Sequence, residues 1–171
     1  MVIIGAGFGG LTLAQKLAKA PVEVLLVDQN NYHLFQRLLY QVATAALEPE
    51  EVAHAVRGIF QKHENVRFRM ATVTGVDWED RRVLVAEGHP IAYDYLVIAA
   101  GASTNTFGTP GVDEYAFDLK DLGKAVDLRS HIVRQFERAE ADPAEIERGV
   151  LNFIAVGGGP TGVEMAGALV E

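Results

Sequence analysis

Gly5-Ala6-Gly7-Phe8-Gly9-Gly10 near the start of the chain and Gly157-Gly158-Gly159-Pro160-Thr161-Gly162 near its end are two turns with the same glycine spacing. Each follows an apolar run, Val2 to Ile4 in the first case and Phe153 to Val156 in the second, and each opens a helical pattern. In Gly-x-Gly-x-x-Gly the first glycine permits a tight turn and the second leaves room for a pyrophosphate to approach the backbone. The third lets the helix pack close to the strand, and the helix N-terminus offers oriented N–H groups to the phosphates. Asp28 stands 18 residues after Gly10, at the end of the next apolar run, where a carboxylate accepts hydrogen bonds from the hydroxyls of an adenosine ribose. Two such turns, the first with its acid, point to a protein that holds two dinucleotides and moves electrons between them. Neither copy ends in Gly-Lys-Ser/Thr, which disfavours a nucleotide triphosphatase.

The elements that must hold these turns are legible as strand, turn and helix. Val2 to Ile4 reads as a central parallel strand, and Gly7, Gly10, Leu11, Ala14, Leu17 and Ala18 follow one helical face. Pro21 ends that helix, and Val22 to Val27 is a largely apolar run closed by Asp28. Asn30 to Phe35 reads as a loop, Gln36 to Ala46 as a short helix, and Pro49 to about Gln61 as another, with proline and carboxylates suited to its first turn. Val66 to Met70 follows as a third strand. Ala71 to Trp78, Arg82 to Val85 and Ile91 to Tyr93 form a small antiparallel layer, and Tyr95 to Ala99 returns as a buried parallel strand. A long helix is expected from about Asp118, a candidate N-cap, to Ala141. After the break at Asp142-Pro143, Leu151 to Val156 begins a second parallel strand system. The expected fold is α/β: a Rossmann-like domain over residues 1–149, with a parallel sheet and a small antiparallel layer, then the start of a second Rossmann domain over 150–171.

At 171 residues, 49% apolar and 22% charged, the chain is sized for a substantial core and is not of disordered composition. Its formal net charge of −8 opposes binding to nucleic acid and gives no attraction to an anionic membrane surface. The absence of cysteine excludes a disulfide framework, a thiolate metal site and a redox dithiol within these residues, and fits a reducing compartment. No run approaches the ~18 apolar residues of a membrane span, and the start lacks the pattern of a secretory signal. The expected setting is cytoplasmic.

Glu164 lies just after the second turn, and two readings are open. Its carboxylate either complements the positive end of the helix or faces the nicotinamide end of a bound nucleotide and a flavin. The histidines, His33, His54, His63, His89 and His131, show no metal-ligand spacing; His33 is set apart because it follows the ribose acid within an aromatic loop. Ser103 and Ser130 lack the Gly-x-Ser-x-Gly context of a nucleophile.

The string Asn30-Asn31-Tyr32-His33-Leu34-Phe35-Gln36-Arg37-Leu38-Leu39-Tyr40-Gln41-Val42-Ala43-Thr44 resembles the type II NADH dehydrogenases, the single-polypeptide, non-proton-pumping NADH:quinone oxidoreductases. Asp94-Tyr95-Leu96-Val97-Ile98-Ala99-Ala100-Gly101 and Pro110-Gly111-Val112 extend the resemblance over essentially the whole chain. Arg37 and Ala100 depart from it, standing where such proteins commonly have proline and threonine. The first change alters loop stiffness; the second removes a hydroxyl and leaves Gly101 for a close backbone approach.

The resemblance implies FAD in the first site, with contacts at Gly5, Gly7, Phe8, Gly9, Gly10, Asp28, Tyr32, His33, Val73, Ala100 and Gly101. It implies NADH in the second, held at Gly157, Gly159, Pro160, Thr161 and Gly162, with Glu164 as the catalytic candidate near nicotinamide and flavin. The implied partner is a quinone. A longer protein would sit peripherally on the cytoplasmic side of the cell membrane through a C-terminal region, and a homodimer is compatible with that picture. Because the chain ends nine residues after Gly162, these residues are expected to be an N-terminal portion, inactive alone and at most flavin-binding. Two other readings stand beside this one: another flavin reductase of the ferredoxin or sulfide:quinone type, and a non-catalytic FAD- or NADH-binding redox module.

Overall fold

The computed structural model of the chain describes residues 1–170. Its elements in order are β1 (Val2–Ile4), α1 (Phe8–Leu17), β2 (Val24–Asp28), β3 (Tyr32–Leu34), a 3-10 turn (Gln36–Leu38), α2 (Leu39–Ala43), α3 (Pro49–Val52), β4 (Ala53–Ala55), α4 (Val56–Ile59), β5 (Val66–Met70), β6 (Val73–Asp77), β7 (Arg82–Val85), β8 (Ile91–Ala92), β9 (Leu96–Ile98), α5 (Val112–Tyr115), α6 (Leu122–Ala141), α7 (Ala144–Glu147) and α8 (Pro160–Ala168). They form two compact units, one of residues 1–33 and 54–102, the other of residues 34–53 and the chain from Ser103 onward.

In the first unit β5, β2, β1 and β9 make a parallel sheet in that order. Side chains alternate across it, as the two-residue period of a strand requires. Ile3, Val24 and Leu26 pack on one side with Leu11 and Ala14 of α1 and with Val56 and Phe60. Val2, Ile4 and Val27 pack on the other with Val83 of β7 and Ile91 of β8. That second side belongs to the three-stranded antiparallel sheet β6-β7-β8. Both faces of β1 and β2 are therefore covered, which is why these strands are continuous apolar runs rather than alternating ones. Ile3 and Leu26 are fully buried, each contributing about 1.5–3 kcal/mol of transfer free energy.

Asn65 joins the connection after α1 to the start of β5. Its side-chain nitrogen donates to the carbonyl oxygens of Leu17 at 2.9 Å, Ala20 at 3.2 Å and Val22 at 2.9 Å. One amide carries two protons, so three acceptors share them.

The second unit is built on α6, a 20-residue helix. Ala125 of α6 packs with Leu39, Val42 and Val52, and Ile132 packs with Ala43 and Met165. Glu48 caps α3 through a reciprocal capping box with Glu51. It also accepts a two-pronged pair from Arg129 of α6, at 2.9 and 3.1 Å.

Several elements differ from the sequence expectations. The N-cap of α6 is Asp121, not Asp118: Asp121 accepts from the Lys124 N–H at 2.9 Å, whereas Asp118 pairs with the Lys124 ammonium at 2.6 Å. The expected helix 49–61 is α3, β4 and α4 in succession. Val52 and Val56 are buried in different clusters, and residues four apart on one helix would share a face. The segment expected as helix 36–46 is a 3-10 turn followed by the five residues of α2, and the loop 30–35 contains β3. Residues 151–156 form no strand among the described residues, and Ile154 and Val156 are about nine-tenths exposed. An apolar run becomes a strand only where a neighbouring strand takes up its backbone groups.

Two outcomes test this packing. Asn65→Asp replaces the shared donor by an anion facing three carbonyl oxygens, so it should lower unfolding free energy in urea by more than Asn65→Ala, itself costing about 1–3 kcal/mol; equal or smaller loss for the aspartate would contradict the network. Arg129, by its hydrogen bond and charge, holds the Glu48 carboxyl below its usual value. A lowered folded-state value gives stabilisation that is complete above the usual glutamate value of about 4.3 and disappears as pH falls through the folded one. The melting-temperature gap between the wild type and Arg129→Met should therefore close on acidification through that window. Because the pair is exposed, the gap should also shrink in high salt.

Candidate nucleotide-binding site

The first glycine turn links β1 to α1 with hardly any space between backbones. Gly5 has φ +102°, and a Cβ there would lie 2.2 Å from the Ala99 carbonyl oxygen at the end of β9. Its N–H donates to the Val27 carbonyl at 2.7 Å. A Cβ on Gly10 would lie 1.8 Å from the Gly5 carbonyl oxygen, so α1 rests on the turn backbone to backbone. Gly7 differs: a Cβ there would meet nothing within 4 Å. The fold's own packing does not need glycine at this position, and the open space is what a phosphate approaching the loop requires. Gly7 is also the N-cap of α1, with no side-chain cap bond and no acidic residue in the first turn, so these side chains do not offset the positive end of the helix.

Asp28 closes β2 beneath this turn. Its Oδ2 accepts from the Ala6 N–H at 2.6 Å and its Oδ1 from the Asn30 N–H at 2.8 Å. A carboxylate has about four acceptor positions, so capacity remains for ligand hydroxyls. Gly5, Asp28, Val73 and Ala100 line one cleft of about 320 Å³ at the carboxyl ends of the parallel strands, where open α/β sheets bind their ligands. Phe8, Gly9 and Gly10 begin α1, and Gly101, with φ +74°, follows Ala100. His33 is buried, its Nδ1 2.9 Å from the Ala6 carbonyl oxygen and its ring edge-to-face with Phe8 at 5.0 Å. Tyr32 neighbours it on β3 and does not line the cleft. Gln29, Thr72 and Gly75 line it as well, and no motif in the sequence points to them. Their only signal is position: Gln29 and Thr72 lie just past the ends of β2 and β5, and Gly75 lies within β6.

The second turn repeats the first in backbone terms. Gly157 has φ +116°, and a Cβ on Gly162 would fall 2.0 Å from the Gly157 carbonyl oxygen. Gly159 is the N-cap of α8, with φ −75° and ψ 172°, close to Gly7 with φ −70° and ψ −170°. Pro160 takes the first helical position and Thr161 the next, where a missing N–H costs the helix nothing. Glu164 is exposed and is the fifth helical residue, beyond the first turn, which holds no acidic residue. The dipole effect fades within that turn, so complementing the helix end is a weak account of this side chain. Among the described residues no group of His, Cys, Asp and Glu is arranged to hold a metal ion, and no helix is long and apolar enough to cross a membrane.

A parallel sheet with a glycine turn between its first strand and the following helix defines an α/β protein of the dinucleotide-binding class. Residues 1–171 match the pyridine nucleotide-disulphide oxidoreductases, and the chain belongs to that family. It is 42% identical over 176 residues to the type II NADH:quinone oxidoreductase Ndh of Mycobacterium tuberculosis, covering 100% of this chain and 38% of that protein. It is 35% identical over 184 residues to the external alternative NADH-ubiquinone oxidoreductase of Yarrowia lipolytica mitochondria, covering 100% of this chain and 31% of that one. Among solved structures it is similar to NDH2 of Plasmodium falciparum in complex with NADH, with TM-score 0.89, 29% identity, and coverage of 98% of this chain and 36% of that chain. The chain thus spans less than two fifths of the length of these relatives.

The glycine geometry separates two effects of the same substitution. Gly10→Ala should lower unfolding free energy by about 3 kcal/mol or more, because a methyl group has no room against the Gly5 carbonyl. Gly7→Ala should leave it within about 1 kcal/mol of the wild type, its backbone being extended and its surroundings open. Urea unfolding of both proteins decides, and similar losses would refute the distinction.

Proposed function

We propose that this chain is the FAD-holding part, with the beginning of the NADH-holding part, of a flavoprotein NADH:quinone oxidoreductase of the type II class. The observation that carries the reading is the pair of glycine turns with matching backbone geometry, the first of them joined to a carboxylate that lines a cleft. The printed activities of the relatives support it. In this proposal the domains divide as 1–149 and 150–171, a functional division that differs from the two packing units.

FAD fits the first site: Gly7 leaves open the space a phosphate takes, and Asp28 keeps acceptor capacity for ribose hydroxyls. Gly5, Gly7, Phe8, Gly9 and Gly10 would hold the pyrophosphate on the start of α1, with Tyr32, His33, Val73, Ala100 and Gly101 around the rest of the cofactor. FAD, when bound, supplies the two-electron chemistry that takes a hydride from NADH and delivers electrons to a quinone. Gly157, Gly159, Pro160, Thr161 and Gly162 would cradle the NADH pyrophosphate on α8. Glu164 would lie beside the nicotinamide and orient it, the protein's task being to position the rings and exclude water. In the whole protein we further propose peripheral contact with the cytoplasmic side of a membrane, and a homodimer.

The whole protein should purify with flavin absorbance and oxidise NADH with a soluble quinone. Gly7→Ala should raise the FAD dissociation constant about tenfold or more, while Glu164→Gln should lower kcat and spare FAD binding. A wild-type protein that neither retains nor takes up FAD would sink the proposal.

A further inference from the structure

His33 is the single buried polar side chain among the described residues, and its partner is a backbone carbonyl. The Nδ1 atom lies 2.9 Å from the Ala6 carbonyl oxygen. A carbonyl oxygen only accepts, so Nδ1 must carry the proton of this bond. The N–H of the same residue, Ala6, is held from the other direction by Asp28 Oδ2 at 2.6 Å. Ala6 is the central residue of Gly5-Ala6-Gly7 and is almost fully buried. Both peptide planes that meet at its Cα are therefore fixed by side chains that come from strands later in the chain.

The Ala6–Gly7 peptide is planar and trans. Its carbonyl and the Gly7 N–H point in opposite directions, so a hydrogen bond that draws the carbonyl toward His33 aims the Gly7 N–H away from it. Gly7 stands where a Cβ would meet nothing within 4 Å, in the space kept open above the helix start. Phe8 packs edge-to-face on the His33 ring at 5.0 Å and restricts its rotation.

We propose that His33 is a positioning residue for the phosphate loop: with Asp28 it clamps Ala6 by both backbone groups, setting the Gly7 N–H toward the FAD pyrophosphate before the cofactor arrives. This inference rests on the reading of the first site as an FAD site. Pre-setting the donors removes part of the ordering cost from the binding step. The donor, not the ring as such, is what the clamp requires. Asparagine places an amide N–H near the position of Nδ1, whereas glutamine places its own near Nε2.

In the whole protein, His33→Gln should raise the FAD dissociation constant about tenfold, the weight of one hydrogen bond, while His33→Asn stays within about threefold of the wild type. Flavin fluorescence quenching measures both. The second measurement needs no variant: nitrogen NMR of histidine-labelled wild-type protein without cofactor should show a His33 Nδ1 that carries a proton. Restoration by asparagine and a protonated Nδ1 support the clamp. Equal affinities for asparagine and glutamine variants, or an Nδ1 without a proton, overturn it. A wild type that fails to bind FAD overturns the reading of the site instead, and the nitrogen spectrum then judges the clamp alone.

Discussion

Everything in the first unit depends on how closely α1 lies on the turn that precedes it. The contact is backbone on backbone, with Gly10 over the Gly5 carbonyl and Gly5 against Ala99. Only there can the helix cover Ile3 and Leu26 with Leu11 and Ala14 while its N-terminus stays at the strand ends. The same approach leaves Gly7 facing open space. Core packing and the open space at Gly7 are thus two results of one constraint, and the glycines meet it for different reasons.

The antiparallel layer makes the opposite side of the sheet apolar too. With Val83 and Ile91 over Val2, Ile4 and Val27, β1 and β2 are shielded from water on both faces. Asp28 stands at the carboxyl end of this largely buried strand pair. The carboxylate is fixed by the two amides it accepts. In the second unit the close packing lies on α6, and the chain from Phe153 to the second turn has no comparable cover: Ile154 and Val156 face outward. The second turn nevertheless keeps the backbone form of the first, because that form comes from glycines only a few residues apart.

Much of this was legible in the residues. The central parallel strands β1 and β2 announce themselves as apolar runs, the edge strand β5 alternates apolar residues with Arg67 and Arg69, and the antiparallel layer shows as short runs between turns. The glycine turns and Asp28 follow from spacing. Less legible was the stretch from Asn30 to Gln61. Its helical pattern was real in composition, yet Val52 and Val56 serve separate cores, and no local signal reports which core a valine will join. The start of α6 shows the same limit: Asp118 and Asp121 are equally good caps by type, and the choice depends on Lys124 offering its N–H to Asp121 and its ammonium to Asp118.

By itself the sequence determined the first strand, turn and helix, the glycine spacing of both turns and the acid beside the first. These depend on residue type and short spacing, which a linear chain carries in full. Only the tertiary structure decided that Asp28 and His33 meet at Ala6, that Val73, Ala100 and Asp28 share one cleft, and that residues 151–156 are not a strand among the described residues. Each of those outcomes depends on which distant backbone or side chain arrives at a given atom. Hydrogen-bond partners and strand neighbours are set by packing across tens of residues, and no local pattern encodes them.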